Sequence, residues 1–386
     1  MSSVLGSDQP AAERHEAGTR RALARLGGRL ADAGPAGTPR RGGGRTGVIV
    51  TGCVLVILAV LPLATLQIPW ILPGPVDVLN SVGTLEVLGL CFVFAGVAVG
   101  FDLLIGYTGL LSFGQVLYFA TGVYVLDAAL SVWHWALLPA AALTMAVGGV
   151  LAVLLGSISL KARGIAFAMV TLAFAQAGYY LIEDNPHGLT GGDSGLVMST
   201  SRLPGMLVGV ASTRSLYWLT LAFLVAAYGI TWLVTESVTG QVFLAIRESE
   251  RRTEVLGLRP FPFKLASFAI SSLIATAGGM VYLLLVGTAA PEAVASTTVT
   301  VSILVMVVLG GLGTRWGAVV GAIVYVYLQQ YLLKIAAEPS FSALPAPVRV
   351  PLSQPDFLLG AIFIAFILFA PGGIAGLARK RRPAKT

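Results

Sequence analysis

The chain has 386 residues, 56% of them hydrophobic and only 11% charged, with a mean hydropathy of +0.85. Soluble globular proteins carry about 25% charge, so a water-soluble domain of this length is excluded. The formal charge of +7 does not by itself point to nucleic acid, because membrane proteins gather Lys and Arg in cytoplasmic loops.

Residues 1–46 are rich in Arg, Gly and Ala and contain no apolar run. They read as a disordered, basic cytoplasmic tail, with Ala22–Leu30 suited to a short amphipathic helix on anionic lipid. The first apolar run begins near residue 47 and is too long for the core of a signal peptide. Runs such as Thr51–Leu66, Leu85–Leu104, Ala136–Leu155 and Phe357–Ala370 approach or exceed the length that crosses a bilayer core, roughly 20 residues. The short alternating segments of a membrane barrel are missing. The sequence therefore predicts an all-α integral membrane protein with about ten transmembrane helices.

In chain order the predicted spans are 47–66, 85–106, 110–130, 136–157, 164–182, 215–235, 264–287, 298–311, 316–335 and 356–371. The third and the eighth are glycine-interrupted or short and read as broken or partial spans. Such backbone is tolerated at membrane depth where it packs in protein or lines a cavity. With the N-terminus inside, the tail, 158–163, 236–264, 312–316 and the C-terminal end hold 21 of the 25 Lys and Arg. Arg202, Arg214, Lys334 and Arg349 fall outside. This bias predicts an even number of spans and two cytoplasmic termini. The domains are then the tail 1–46, a transmembrane domain 47–378 with a cytoplasmic loop at 236–263, and a basic tail at 379–386.

Enzyme motifs are missing. The chain has no GxxxxGK[ST] loop for ATP and no HExxH. His15, His134 and His187 are scattered, Cys53 and Cys91 sit inside apolar runs, and no metal site is expected. A membrane-embedded enzyme would cluster His, Asp or Ser at depth. Asp193 and Ser194 are adjacent but have no accompanying base.

Residues 245–257, AIRESERRTEVLG, hold six charges between two apolar spans. Glu248 with Arg252 and Arg251 with Glu254 are in register for helical ion pairs. Gly257 is placed to end the helix. A lipid-seeking helix carries a mostly basic polar face. The mixture of Glu and Arg suits a groove on a soluble protein, where charge sets register. A solvated loop helix is the plainer alternative.

Four further features are candidates. Asp102 lies near the cytoplasmic end of the second span, and an ionisable residue in a span is a functional hypothesis. Tyr107, Thr108 or Gln115 are its expected partners; the alternative is a structural hydrogen bond that fixes the GYTG break. Gly106–Gly109 and the following LLSFG, with Ser112, form either a broken helix beside a translocation path or a tight turn. Gly313, Gly317 and Gly321 recur every fourth residue and predict a flat face for helix packing. The outer loop 185–195 offers Thr190, Gly191, Gly192 and Asp193 for docking a protein or capping the path, or is a plain loop.

The stretch AIRESERRTEVLGLRPFPFKLASFAIS resembles the cytoplasmic loop of ABC-importer permeases, and more narrowly the branched-chain amino acid permease family of LivM type. GFDLLIGYTGLLSFGQ at 100–115, LTGGDSGL at 189–196, VMVVLGGLGTRWGAVVGA at 305–322 and FAPGGIAGL at 369–377 match in the same order. Two positions depart from the pattern: Gln115 stands where the family has His, and Arg251 and Arg252 stand where it often has Ala.

The resemblance implies a permease in a bacterial cytoplasmic membrane with no catalytic residues or cofactor of its own. It implies as partners a second homologous permease, two ATPase subunits that hold ATP and Mg, and an extracytoplasmic substrate-binding protein. It also implies an ATPase-coupling role for Ala245, Ile246, Arg247, Glu248, Glu250, Arg251, Arg252, Glu254 and Gly257. The solute would be a branched-chain or related amino acid, with urea, amides and small carboxylates as alternatives. A stand-alone ion- or proton-coupled transporter is the rival class. It calls for paired intramembrane charges, of which Asp102 is the one convincing member.

Overall fold

The computed structural model describes residues 82–199, 213–336, 355–369 and 372–380. The N-terminal tail, the span expected at 47–66, Cys53, Arg202 and Arg349 lie outside the described residues, as does most of the C-terminal tail.

Among the described residues eight helices are long and apolar enough to cross a membrane. They correspond to the second through ninth expected spans, and a shorter apolar helix at Phe357–Phe366 matches the tenth. In chain order the helices are α1 (Val82–Asp102), α2 (Gln115–Asp127), α3 (Leu137–Ser159), α4 (Ile165–Glu183), α5 (Thr213–Glu236), α6 (Val238–Glu248), α7 (Glu250–Val255) and α8 (Pro260–Val286). There follow α9 (Pro291–Val294), α10 (Thr297–Gly310), α11 (Arg315–Ala336), α12 (Pro355–Phe369) and α13 (Gly373–Lys380).

α1 is the central helix. It packs on α5, α8 and α11, and Cys91, Phe92, Val93, Ala95 and Ala98 along it are fully buried. α8 crosses α2 and α3. α3 and α4 keep much of their apolar surface outside, as Leu138, Ile165 and Met169 show. Lipid tails are as apolar as leucine, so helices in a membrane associate through close contact rather than through the hydrophobic effect. Small residues supply that contact here. A methyl group at Gly122 of α2 would overlap the Thr276 carbonyl of α8, and one at Gly279 of α8 would overlap the Phe119 carbonyl of α2. Several polar side chains within the spans turn back on their own helices, while Ser302 and Tyr325 bond hydroxyl to hydroxyl across two helices at 2.9 Å. Thr144 donates to the Ala140 carbonyl at 2.8 Å and Thr276 to the Ser272 carbonyl at 3.0 Å.

The third expected span is helical without a break over Gln115–Val132 and the eighth over Thr297–Gly310, so the irregular backbone lies before each and not inside it. α1 ends in a wide turn at Leu103–Tyr107, and α2 begins only at Gln115 after a non-helical stretch. α10 is preceded by α9, with Ser296 in extended conformation between them.

The two ends of the bundle differ. One, the loop face, gathers the end of α1, α6, α7 and the turn from α10 to α11. The other, the strand face, carries a two-stranded antiparallel pair, β1 (Leu196–Val197) and β2 (Thr288–Ala289), in register Leu196 with Ala289. Tyr124 at the end of α2 donates to the Ala289 carbonyl at 2.9 Å and fastens this pair to the bundle.

Candidate functional site

The segment expected as one helix is two. Ser249 adopts φ −164°, ψ 106°, which breaks the helical path after Glu248, and its hydroxyl accepts the Arg252 N–H at 3.3 Å to cap α7. The break is the physical reason that the expected Glu248–Arg252 register is lost. Ion pairs form instead between Glu250 and Lys264 at 2.7 Å and between Glu236 and Arg315 at 3.0 Å. Each ties the loop face across elements: α7 to α8, and the end of α5 to the start of α11.

The α6–α7 segment has two sides. Phe243, Ile246 and Thr253 are buried against the bundle, and Ala245 is half-buried. Glu248, Arg251, Arg252, Glu254 and Gly257 are exposed. Beside these charges Val255 is 83% exposed, Leu256 78%, and Leu258 and Phe261 are exposed as well. Gly257 closes the segment at φ +86°, as its expected position after the helix requires.

Arg247 is exposed overall, but its tip reaches the bundle. Its guanidinium donates to the Gly106 carbonyl, inside the wide turn that ends α1. The backbone there leaves room for it. A methyl at Gly109, whose φ is +77°, would lie 2.9 Å from Arg247 Cγ. On the other side of Gly106, Asp102 Oδ1 accepts the Gly313 N–H at 2.7 Å. Asp102 is 1% exposed, and its second oxygen, Oδ2, has no hydrogen-bond partner. One node thus joins α1, α6 and the turn into α11.

Asp102 therefore bonds to none of the three expected partners. Tyr107 is half-buried in the wide turn. Thr108 lies 2.6 Å, hydroxyl to hydroxyl, from Ser267 of α8 and donates to the Leu103 carbonyl at 3.2 Å. Ser112 accepts the Gly114 N–H at 3.2 Å, and buried Gln115 leaves its amide nitrogen without a partner. Gly313 also departs from expectation. It has φ +74° and precedes α11, so it is a turn residue and not part of a helical face. Gly317 and Gly321 do pack closely, against the backbone of Gly310 on α10.

A cleft of ≈ 350 Å³ opens beside this node, lined by Gly109, Leu110, Phe113, Arg163, Glu250 and Lys264 among others. At the strand face the 185–195 loop is held in place. The side-chain oxygen of Asn185 accepts from the N–H groups of Thr190 at 2.9 Å and Gly191 at 3.0 Å, and Thr190 Oγ1 donates to the Ile182 carbonyl at 2.6 Å. Gly192 is buried and Thr190 and Gly191 are half-buried, so of these four residues Asp193 is the exposed one. Asp127, a second buried acid, is not singled out by the sequence. Its Oδ1 accepts from Ser131 at 2.7 Å at the strand-face end of α2.

The family description "Branched-chain amino acid transport system / permease component" matches residues 83–367. The chain belongs to this permease family. The LivM high-affinity branched-chain amino acid transport permease of Escherichia coli strain K12 is 26% identical over 328 residues, covering 78% of this chain and 71% of the relative. The LivM permease of Salmonella typhimurium strain LT2 is 25% identical over 335 residues, covering 79% and 73%. No solved structure matches the chain with significance. The match to the permease family contains α1 through α11, and so the whole Asp102–Arg247–Gly313 node. As a member of this family of transport-system permease components, the chain is a multi-pass membrane protein.

The sequence missed the partners within the node. Arg247 stood out only as one charge in a cluster. The signal for its inward contact was the pairing of two glycine-rich breaks, GYTG and GLGT, at the same expected membrane face.

Proposed function

We propose that this permease forms half of the path of an ABC importer in a bacterial cytoplasmic membrane. A second homologous permease supplies the other half, and two ATPase subunits, which hold ATP and Mg, drive it. An extracytoplasmic binding protein delivers the solute, a branched-chain or related amino acid. The Lys and Arg bias puts the loop face in the cytoplasm and the 185–195 loop, with exposed Asp193, on the side of the binding protein.

The observation that carries this reading is the two-sided α6–α7 segment. Its outward side sets the apolar patch Val255, Leu256, Leu258 and Phe261 among Arg251, Arg252 and Glu254. An apolar centre with mixed charge around it fits a groove on a soluble protein. Its inward side is fixed to two membrane-spanning elements, by Arg247 on the Gly106 carbonyl and Glu250 on Lys264. A push on the outer side therefore reaches α1 and α8 directly.

Affinity purification of the tagged chain from its host in mild detergent tests the reading. Recovery of ATPase subunits and a second permease is the expected result, with loss of the ATPases when Leu256 is changed to Asp. Recovery of the chain alone, under conditions that keep a known importer intact, contradicts it.

A further inference from the structure

We infer that Arg247 and Asp102 form a two-position charge switch that links the cytoplasmic loop to the broken end of α1. The inference rests on the reading of α6–α7 as the ATPase-docking segment and extends it to a named pair. In the structure the two charges flank the same short stretch of backbone. Arg247 donates to the Gly106 carbonyl, and its Nη1 would lie 3.3 Å from a methyl placed on Gly313. Asp102 Oδ1 is held by the Gly313 N–H. Oδ2 is buried and has no hydrogen-bond partner. A buried carboxylate oxygen without a donor is costly, and the charge that would satisfy it sits on a neighbouring element, bonded to a neutral carbonyl instead.

The second position of the switch is Asp102 Oδ2. Moving the Arg247 guanidinium from the Gly106 carbonyl to Asp102 Oδ2 exchanges a neutral carbonyl for a carboxyl group whose ionised form the guanidinium itself stabilises. Charge-assisted bonds of that kind are about twice as strong as neutral ones. Gly106, Gly109 and Gly313 carry no side chain beside the two charges: a methyl on Gly106 would meet Asp102 Oδ1 and the Gly313 N–H, one on Gly109 would meet Arg247 Cγ, and one on Gly313 would meet the Gly106 carbonyl and Arg247 Nη1. A shift of α6 under an ATPase subunit would carry Arg247 along and so alter the end of α1 and the turn into α11 together. Such a bistable contact is what coupling between distant sites requires. Arg247 and Asp102 are positioning residues here, not solute ligands.

The test uses the full complex reconstituted in vesicles, with solute uptake and ATP hydrolysis measured together. Arg247→Gln keeps a donor for the Gly106 carbonyl and removes the charge. Arg247→Lys keeps the charge. Asp102→Asn keeps an acceptor for the Gly313 N–H and removes the charge. The switch predicts that Arg247→Gln and Asp102→Asn each lower uptake per ATP about tenfold, that the double variant is no worse than the worse single one, and that Arg247→Lys restores most of the coupling. Wild-type coupling in Arg247→Gln overturns the switch, because a donor to Gly106 would then suffice. Additive losses in the double variant overturn it too. If Asp102→Asn fails to assemble, the comparison of Gln with Lys at position 247 still decides. Loss of the ATPase subunits from wild-type complexes would contradict the docking reading instead, and co-purification separates the two failures.

Discussion

Asp102 accepts the backbone N–H of Gly313 across 211 positions of the chain, at 2.7 Å, and so fixes the end of α1 to the turn that starts α11. The contact is a hydrogen bond between a buried side chain and a half-buried turn residue, and its removal has a defined effect. Asp102→Ala leaves the Gly313 N–H without its acceptor and should cost about 1–3 kcal/mol, whereas Asp102→Asn keeps an acceptor and should cost less. Thermal unfolding of the purified permease in detergent would show the larger drop in Tm for Ala; equal drops would mean that the bond contributes little.

Helix contact through bare backbone makes a second prediction. Gly122→Ala and Gly279→Ala each place a methyl against a carbonyl of the facing helix and should destabilise by about 1–3 kcal/mol through overpacking. Gly229→Ala on α5 meets nothing within 4 Å and should be neutral or slightly stabilising. Tm shifts of the three variants in one detergent check the order.

The ion pair between α7 and α8 is unequal. The Lys264 side chain is 11% exposed and that of Glu250 31%. Removing Glu250 strands a largely buried ammonium, while removing Lys264 leaves a carboxylate that can turn to water. Glu250→Ala should therefore destabilise more than Lys264→Met, since an uncompensated buried charge is the expensive outcome. Loss of stability in the reverse order would show that Lys264 is solvated in the native state.

Arg251 and Glu254 are exposed and, among the described residues, have no ion pair. Reversing both charges should change stability by no more than about 0.5 kcal/mol. The same double variant should lose ATP-driven uptake while still inserting in the membrane. Retained coupling would remove these two residues from the docking surface.

Much of this architecture was legible in the sequence. Apolar run length placed the eight described spans, while the expectation that the third and eighth are broken gave way to continuous helices preceded by irregular backbone. Motif order named the family. The details of the loop were less legible. The pairing of Glu248 with Arg252 followed from assuming one continuous helix, and a single extended residue, Ser249, cancels it. The run Gly313, Gly317, Gly321 has helical spacing, yet the first member sits at positive φ, which spacing does not reveal. Long-range contacts such as Arg247 to Gly106 depend on which helices lie side by side, and periodicity within one segment carries no such information.

ATP-driven uptake by the reconstituted complex tests the central claim most directly. Proteoliposomes containing this permease, its co-purified permease and its ATPases would be given labelled leucine with the binding protein outside and ATP inside. The account predicts accumulation that needs both internal ATP and the binding protein. Accumulation by the chain alone, driven by an ion or proton gradient and indifferent to ATP, would contradict it.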